Sequence, residues 1–178
     1  MIWNDRKIYE WASTGGVTPY AADLVNPASL DLRLGNMIRE PKQCWQTKSI
    51  DKAIDKRTPA SDLWTEAFEF TEYVLKAGQC VLCHSLEYIR MPRDAAGMIA
   101  SKSSTGRMLL EHFHSGWVDC AFMGNITFEF KNDGLWDITL RPGDLWLQMV
   151  MMGMMEEPDR DYSVTGRYQG QTGPEAHR

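Results

Sequence analysis

Short segments in which apolar and polar residues alternate recur along the chain, and this alternation limits the possible folds more than any other feature. In Asn125–Lys131, for example, Ile126, Phe128 and Phe130 alternate with polar side chains. A period of two places successive side chains on opposite faces of a β-strand. Because the segments are short and are separated by glycine and proline turns, the pattern predicts an all-β sandwich or jelly roll.

The alternation, together with capping and turn residues, also predicts individual elements. Arg141–Asp144 has Pro and Gly in the central positions of a type II turn, so two strands should meet there. Residues 40–65 are polar and rich in lysine, which indicates a long surface excursion. The other predicted elements are a short helix over Asp5–Ala12, a half-buried strand over Ser29–Gly35, a strand over Gln79–Met91, a short helix over Ser103–Leu110 and a strand over Leu145–Met155.

The length and composition favour one globular domain with its own core. The chain has 178 residues, of which 43% are hydrophobic and 24% charged, and its formal net charge is -5. A mildly acidic protein lacks the basic surface that binds DNA or RNA, so no polymeric nucleic-acid partner is expected. No apolar run approaches the roughly 20 residues that span a bilayer. Because the N-terminus also lacks signal-peptide features, we expect a cytoplasmic protein without membrane contact, whose four cysteines are free thiols.

The segment from Cys80 to His84 has the spacing C-x-x-C-H, which is that of covalent haem attachment and of part of a zinc site. On a strand, Cys80 and Cys83 face opposite sides, so the two thiols cannot bind one ion without a turn between them. Zinc deaminases also need a proline before such a pair and an H-x-E motif, whereas neither His112 nor His114 is followed by x-Glu. We therefore predict that this segment binds no metal. Cys80 and Cys83 should be small apolar side chains of the scaffold.

Glu129 stands between Phe128 and Phe130 in the alternating segment. A carboxyl group held partly out of water has a raised pKa, which suits general acid–base chemistry near neutral pH. The simpler interpretation is a glutamate on the solvent face of a strand. Taken alone, this segment favours the surface glutamate. It does not decide between the two interpretations.

Two further segments contain residues of the kinds that bind nucleotides. Ser101–Arg107 combines hydroxyl groups with Lys102 and Arg107, which is typical of phosphate binding, although a helix cap with two solvated basic residues explains it equally well. In Ser115–Ile126, Asp119 lies between aromatic residues and before a glycine, which is compatible with a bulge or turn that lines a pocket.

Taken in order, these segments resemble the dCTP deaminase branch of the dUTPase superfamily. The resemblance covers nearly the whole chain and is weakest over residues 40–65. The matching stretches are Ser29–Leu34, Ser103–Arg107, Gly116–Asp119 with Phe122 and Gly124, Ile126–Glu129, Arg141–Gly143 with Gln148, and Gly166–Pro174.

The resemblance implies a distorted jelly-roll or β-barrel fold of the dUTPase-like type with a few short helices, in one domain over residues 1–178. It implies a homotrimer with sites between subunits and Mg²⁺ bound through the nucleotide triphosphate. The implied activity is zinc-independent hydrolytic deamination of dCTP to dUTP and ammonia in pyrimidine deoxynucleotide metabolism, and further hydrolysis to dUMP and diphosphate is left open. Residues 160–178 would form a mobile tail that closes over the site.

The resemblance also assigns roles to single residues. Glu129 would be the general base and acid, and Ser103 and Arg107 would border the reacting base. The substrate-binding residues would be Lys102, Ser103, Ser104 and Arg107 for the phosphates, Asp119 for the 3′-hydroxyl of deoxyribose, Thr127 for the pyrimidine, Ser115 in the same site, and Tyr162, Arg167 and Gln171 from the tail.

The chain departs from the family pattern at several positions. Lys102 stands where arginine is usual, so bidentate phosphate binding is lost there. Asp119 is followed by Cys120 and Ala121, where many members have Pro and Gly. The link from the serine-rich run to the Asp119 motif is one residue shorter than usual. Because this link borders the base pocket and the response to dTTP, the resemblance does not determine base selectivity or feedback inhibition.

Two other functions are compatible with the same fold. A plain dUTP diphosphatase would act through Asp119 and would lack the strand glutamate that this chain has at position 129. A non-catalytic nucleotide-binding regulator would bind the nucleotide without turnover, although the residues for base, phosphate and tail contacts are all retained.

Overall fold

The computed structural model of the chain describes residues 1–42, 54–113 and 115–177. Part of the predicted surface excursion, together with Cys44 and His114, lies outside these ranges. Within them, Cys80, Cys83 and Cys120 are free thiols, which confirms the prediction for these three cysteines.

Strands make up most of the ordered elements, and the helices are short. The helices are α1 (Asp5–Trp11), α2 (Ala60–Leu63), α3 (Ser103–Arg107) and α4 (Tyr162–Thr165), with a π-helical turn over Ala12–Gly16 and a 3₁₀ turn over Ala22–Leu24. The strands are β1 (Val17–Thr18), β2 (Val25–Asn26), β3 (Ser29–Arg33), β4 (Met37–Ile38), β5 (Phe68–Glu69), β6 (Tyr73–Leu75), β7 (Cys80–Arg90), β8 (Ala95–Ser101), β9 (Leu110–His112), β10 (Trp117–Val118), β11 (Met123–Asn132), β12 (Ile138–Leu140) and β13 (Leu145–Gly153). Across the described ranges, no helix is long and apolar enough to cross a membrane.

In the part of the chain that the structure describes, the strands form four antiparallel sheets. One sheet has the order β1-β7-β11-β9, and the second has the order β10-β8-β13-β3-β2. Two small sheets pair β12 with β6 and β4 with β5. The mainly β fold with few short helices is as predicted, and none of these sheets closes into a barrel.

The two predicted helices form, but the second is shorter than predicted. The side chain of Asn4 caps α1 by accepting the N–H of Lys7 at 3.1 Å. Helix α3 ends at Arg107 because Leu109 adopts a φ of 58°, in the left-handed region that a right-handed helix cannot contain. Strand β9 then begins at Leu110, so the predicted helix over Ser103–Leu110 is wrong in its last residues.

Strand β3 is buried on both faces, so the prediction of a half-buried strand is wrong. Asp31 on its polar face is 4% exposed and forms an ion pair with Lys102. Nε of Arg33 binds the buried carboxylate of Glu87 at 2.6 Å. Charged groups can be buried when an opposite charge meets them, and here other strands supply those partners.

The central pair of the first sheet joins β7 to β11, and its two faces differ as the alternation predicted. Phe128 and Phe130 are fully buried in the hydrophobic core. Cys83 lies opposite Phe128 and is buried with it. Glu129, which pairs with Leu82, lies on the other face of the sheet.

A bulge interrupts this pair, because β7 advances four residues where β11 advances two. Side chains satisfy the backbone groups there. The hydroxyl of Ser85 accepts the N–H of Ile126 at 2.8 Å and donates to the carbonyl of Glu87 at 2.7 Å. The amide of Asn125 donates to the carbonyls of Ser85 and Glu87 at 3.0 and 3.1 Å. The bulge is therefore held by buried side-chain hydrogen bonds.

The histidine of the C-x-x-C-H segment belongs to the scaffold. Nε2 of His84 accepts the backbone N–H of Met37 at 3.2 Å, and Nδ1 lies 2.8 Å from the carbonyl of Ser85, to which it donates. Burial lowers the pKa of His84, which favours the neutral ring that this pattern requires. The imidazole thus links β7 to the first residue of β4.

Gly35 packs directly against this ring. A Cβ atom at Gly35 would lie 2.2 Å from Cε1 of His84. We expect Gly35→Ala to lower the free energy of unfolding by about 1–3 kcal/mol, because the ring must shift away from its hydrogen bonds. Gly106→Ala is the matched control, since no atom lies within 4 Å of the added methyl group and alanine favours the helix. Urea denaturation measures both variants, and equal losses would contradict the close contact at Gly35.

Candidate functional site

A cavity of about 620 Å³ lies against the face of β7 and β11 that points away from the core. Cavities of about 300–1,000 Å³ are typical of small-molecule sites. Six of the predicted site residues line it: Ser115, Asp119, Thr127, Glu129, Tyr162 and Gln171. Tertiary structure therefore brings β11, the segments around β10 and the C-terminal segment to one site.

Glu129 is positioned by β9, the strand beside it. Its N–H donates to Nδ1 of His112 at 3.2 Å, and its carbonyl accepts the N–H of Phe113 at 3.1 Å. Burial raises the pKa of the Glu129 carboxyl, and a hydrogen bond from Ser115 partly offsets that effect. Glu129 is thus a half-buried carboxyl in a cavity, and not the solvated surface glutamate of the simpler interpretation.

Asp119 follows β10 at a tight turn in the cavity wall. Nε1 of Trp117 donates to its carboxylate at 2.9 Å, which fixes the orientation of one oxygen. Ala121 adopts a φ of 62°, a conformation that glycine takes with less strain. The ring of Phe122, next in the turn, packs edge-on against Tyr162 with centroids 5.6 Å apart. The turn that holds Asp119 therefore also anchors α4.

The C-terminal segment lies along β11 and forms another wall of the cavity. The carbonyl of Gln171 accepts the N–H of Asn125 at 3.0 Å, and its side-chain amide donates to the carbonyl of Asn125 at 2.5 Å. The hydroxyl of Thr127 accepts that same amide at 3.4 Å and the N–H of Glu175 at 3.2 Å. The tail therefore covers the predicted site, while its mobility stays a prediction.

Beyond this contact, the end of the tail is fastened to the region around residues 58–65. Nε of Arg39 donates to the carbonyl of Pro174 at 2.8 Å, and its guanidinium also donates to the carbonyl of Thr65 at 3.0 Å. Nε2 of His177 donates to the carbonyl of Thr58 at 2.7 Å. These contacts join the C-terminus to the part of the chain that resembles the family least.

The predicted phosphate-binding residues lie apart from this cavity. The predicted residues that do not line it are Lys102, Ser103, Ser104, Arg107 and Arg167. Those on α3 are exposed side chains at the end of β8, and Lys102 forms an ion pair with Asp31. The predicted site residues of one chain thus fall into two groups, one that lines the cavity and one on or near α3 that does not, with Arg167 also outside the lining.

A family model described as dCTP deaminase-like matches residues 2–154. The chain belongs to the dCTP deaminase-like family.

Curated relatives in this family match over the full length of the chain. A protein of Sulfurihydrogenibium sp. (strain YO3AOP1) named "dCTP deaminase, dUMP-forming" is 34% identical over 183 residues, which cover 100% of this chain and 97% of the relative. A protein of Mycolicibacterium vanbaalenii with the same name is 36% identical over 186 residues, which cover 100% of this chain and 95% of the relative.

The fold is also found among solved structures. The crystal structure of 2′-deoxycytidine 5′-triphosphate deaminase from Agrobacterium tumefaciens matches with a TM-score of 0.66 at 22% identity. The match covers 84% of this chain and 47% of that chain. At this identity the likeness supports the fold.

Several residues that line the cavity of this family member were not predicted from the sequence as site residues. Trp117 and Tyr168 line the cavity from within motifs that carry the family resemblance, so those motifs were a usable signal. Cys80 lines it because it shares the face of Leu82, and strand register could have indicated this. Trp64 belongs to the region around residues 40–65, for which the sequence holds no comparable signal.

Glu129 should give the stability of the fold a pH dependence of defined sign. Its pKa is raised above the ordinary value of 4.5, so the folded protein binds the proton to higher pH than the unfolded chain does. The free energy of unfolding should therefore fall as the pH rises from about 4.5 through the folded-state pKa. Glu129→Gln removes this loss, so we expect the variant to gain stability over wild type across that window.

Urea denaturation of both proteins at successive pH values measures the difference. Ser115→Ala should extend the window to higher pH, because it removes the hydrogen bond that favours the ionised form. A difference between wild type and Glu129→Gln that is the same at every pH would contradict the raised pKa.

Proposed function

We propose that this protein deaminates dCTP to dUTP and ammonia and then hydrolyses dUTP to dUMP and diphosphate. The observation that carries the proposal is that, of the carboxyl groups that line one cavity, those of Glu129 and Asp119 lie in different environments. Glu129 is half-buried with a raised pKa, whereas Asp119 is an exposed residue hydrogen-bonded to Trp117. Such a pair can serve two proton-transfer steps. The name dUMP-forming, carried by relatives at 34% and 36% identity, supports both steps.

In the deamination, water adds to C4 of cytosine and the C4–N bond breaks, so that an oxygen replaces the amine. Glu129 would take a proton from the water and return it to the leaving amine, which departs as ammonia. Its raised pKa brings its proton affinity closer to neutral pH, where one group can serve as both base and acid. Ser115, which is hydrogen-bonded to this carboxyl, would orient it.

Thr127 would contact the pyrimidine in a defined way. A hydroxyl group has two acceptor lone pairs and one proton to donate. The tail already supplies two donors, from Gln171 and Glu175. What Thr127 offers to a base is therefore its own proton, which suits an acceptor atom such as a ring nitrogen or carbonyl oxygen.

In the second step, water would attack the α-phosphorus of dUTP, with dUMP and diphosphate as products. Asp119 would hold the 3′-hydroxyl of the deoxyribose and accept the proton of the attacking water. Trp117 holds one carboxylate oxygen in place, so the second oxygen is the one directed to these contacts. The name dUMP-forming of the curated relatives favours this reaction over a deamination that stops at dUTP.

The proposal includes a homotrimer in which neighbouring copies complete each site. The hydroxyl and guanidinium groups of α3 do not line the cavity of their own chain. Exposed apolar side chains flank α3, including Met108 and Leu109, which are 37% and 42% exposed. Apolar surface of this kind suits a contact between subunits. A neighbouring copy would thus bring Ser103 and Arg107 to the cavity that contains Glu129.

Mg²⁺ would bind through the triphosphate of the nucleotide. It would neutralise phosphate charge and orient the phosphate groups. Across the described ranges, no cluster of three or more His, Cys, Asp or Glu side chains is placed to hold a metal ion. We propose that the ion arrives with the substrate, and that the tail closes over both.

Product analysis with dCTP and MgCl₂ tests the proposed reaction. We expect wild type to release ammonia, dUMP and diphosphate, and we expect Glu129→Gln to slow ammonia release by about 10²–10⁴-fold, because general acid–base catalysis is lost. Glu111→Gln is the matched control, since Glu111 is an exposed glutamate on β9 outside the cavity wall.

Each other outcome identifies a different function. Wild-type ammonia release by Glu129→Gln would contradict the role of this carboxyl. Hydrolysis of dUTP without any action on dCTP would identify a dUTP diphosphatase. Binding of dCTP without turnover would identify a regulator.

Mixing two inactive variants tests whether the sites form between copies. Arg107→Ala and Glu129→Gln should each be inactive alone. Suppose that each site takes Arg107 from one copy and Glu129 from the next. In an equal mixture of the two variants after subunit exchange, each site then has an even chance of an intact Arg107 and an even chance of an intact Glu129. The mixture should therefore recover about a quarter of wild-type activity. No recovery despite confirmed subunit exchange would place both residues in the same copy.

A further inference from the structure

The segment from Gly173 to Glu175 lies between β11 and Arg39. The N–H groups of Gly173 and Glu175 donate to side chains of β11 at 3.2 Å each. The carbonyl of Pro174, between them, accepts Nε of Arg39 at 2.8 Å. Because proline has no N–H, this carbonyl is its one backbone group that can form a hydrogen bond. Two separate elements, β11 and the chain after β4, therefore hold this part of the tail.

The backbone of Arg39 is fixed to the sheet that carries Glu129. Its N–H donates to the carbonyl of Leu82 on β7 at 2.8 Å, and its carbonyl accepts the N–H of Leu82 at 3.0 Å. Leu82 in turn pairs with Glu129 across the β7–β11 pair. Because these bonds belong to the backbone, a change of the Arg39 side chain leaves them in place.

The guanidinium of Arg39 binds main-chain carbonyls from two distant segments. Besides Pro174, it donates to the carbonyl of Thr65, after α2, at 3.0 Å. Oε2 of Glu66 lies 4.0 Å away on a side chain that is 92% exposed, so this ion pair contributes little. A hydrogen bond from a charged donor is stronger than one between neutral groups. The side chain thus acts as a clamp on the tail.

The clamped residue lies among tail residues that line the cavity, which include Gln171, Glu175 and His177. We infer that Arg39 is a positioning residue that holds the tail over the cavity, and that it strengthens nucleotide binding through the tail. Arg39 itself does not line the cavity, so its effect on the nucleotide is indirect.

The expected kinetic effect rests on the proposed function, in which the closed tail binds dCTP. The apparent affinity of a ligand falls in proportion to the fraction of protein in the binding-competent form. Without the Arg39 clamp, a smaller fraction of the protein is closed, so KM rises. Saturating nucleotide draws the remaining molecules into the closed form, so kcat changes little.

Hydrogen–deuterium exchange of the full chain without nucleotide measures opening of the tail directly. In Arg39→Ala, peptides from residues 168–177 should exchange about tenfold faster or more than in wild type, because charge-assisted hydrogen bonds are lost. In Arg39→Lys the increase should be about two- to fivefold, since an ammonium group still donates but lacks the fork that reaches two carbonyls. Peptides from β13, in the second sheet, should exchange as in wild type, which a general loss of stability would not allow.

Ammonia release from dCTP with MgCl₂ measures the effect on the nucleotide. We expect KM to rise by about tenfold or more in Arg39→Ala and by about two- to fivefold in Arg39→Lys, with kcat within about threefold of wild type in both. Arg141→Ala is the matched control, because its guanidinium also forms a hydrogen bond, to Glu72 at 2.7 Å, and does not line the cavity. Its tail exchange and its KM should equal those of wild type.

The outcomes separate this inference from the proposed function. Wild-type exchange of the tail in both Arg39 variants would overturn the inference and leave the proposed function intact. Faster tail exchange with an unchanged KM would overturn the effect on nucleotide binding. No ammonia from dCTP with wild type would overturn the proposed function, while the exchange rates would still decide whether Arg39 holds the tail. Thermal melting shows whether Arg39→Ala folds, and if it does not, Arg39→Lys decides both points.

Discussion

The antiparallel pairing of β7 with β11 determines the positions of both the core and the cavity. Phe128 and Phe130 fill the core from one face of β11, and Thr127 and Glu129 line the cavity from the other. Because the side-chain period of a strand is two, a slip of one residue in this pairing would exchange the faces. Glu129 would then enter the core, and a phenylalanine would stand in the cavity. The backbone hydrogen bonds that hold the core together therefore also place the proposed general base.

Asn125 connects this pairing to the C-terminal tail. Its side-chain amide donates to two carbonyls in the bulge of β7, and its side-chain oxygen accepts the N–H of Gly173 at 3.2 Å. Its backbone exchanges hydrogen bonds with Gln171. A buried polar residue with all these groups bound is costly to displace. The bulge thus supplies the tail with a fixed docking point beside the cavity.

For the residues predicted from the sequence, the degree of burial depends on which distant groups cover them. The alternation around Glu129 predicted correctly that this residue and Phe128 face opposite ways. It could not decide between a solvated and a half-buried carboxyl, because the covering groups, Ser115 and the tail, come from distant parts of the chain. The same limit explains β3, which was predicted as half-buried. Its polar face is covered because Lys102 from the end of β8 meets Asp31 there.

The sequence by itself determined the strands β3, β7, β11 and β13, the turn at Arg141–Asp144, and the order of motifs that identifies the family, since all of these depend on residues close together in the chain. Only the tertiary structure decided which strand faces became buried, and therefore which side chains meet. Cys80 and Cys83 show the difference clearly: both were expected to be small apolar side chains of the scaffold, yet Cys83 lies in the core and Cys80 lines the cavity. Burial depends on long-range packing, so the local pattern could place these thiols on opposite faces but could not say what each face would meet.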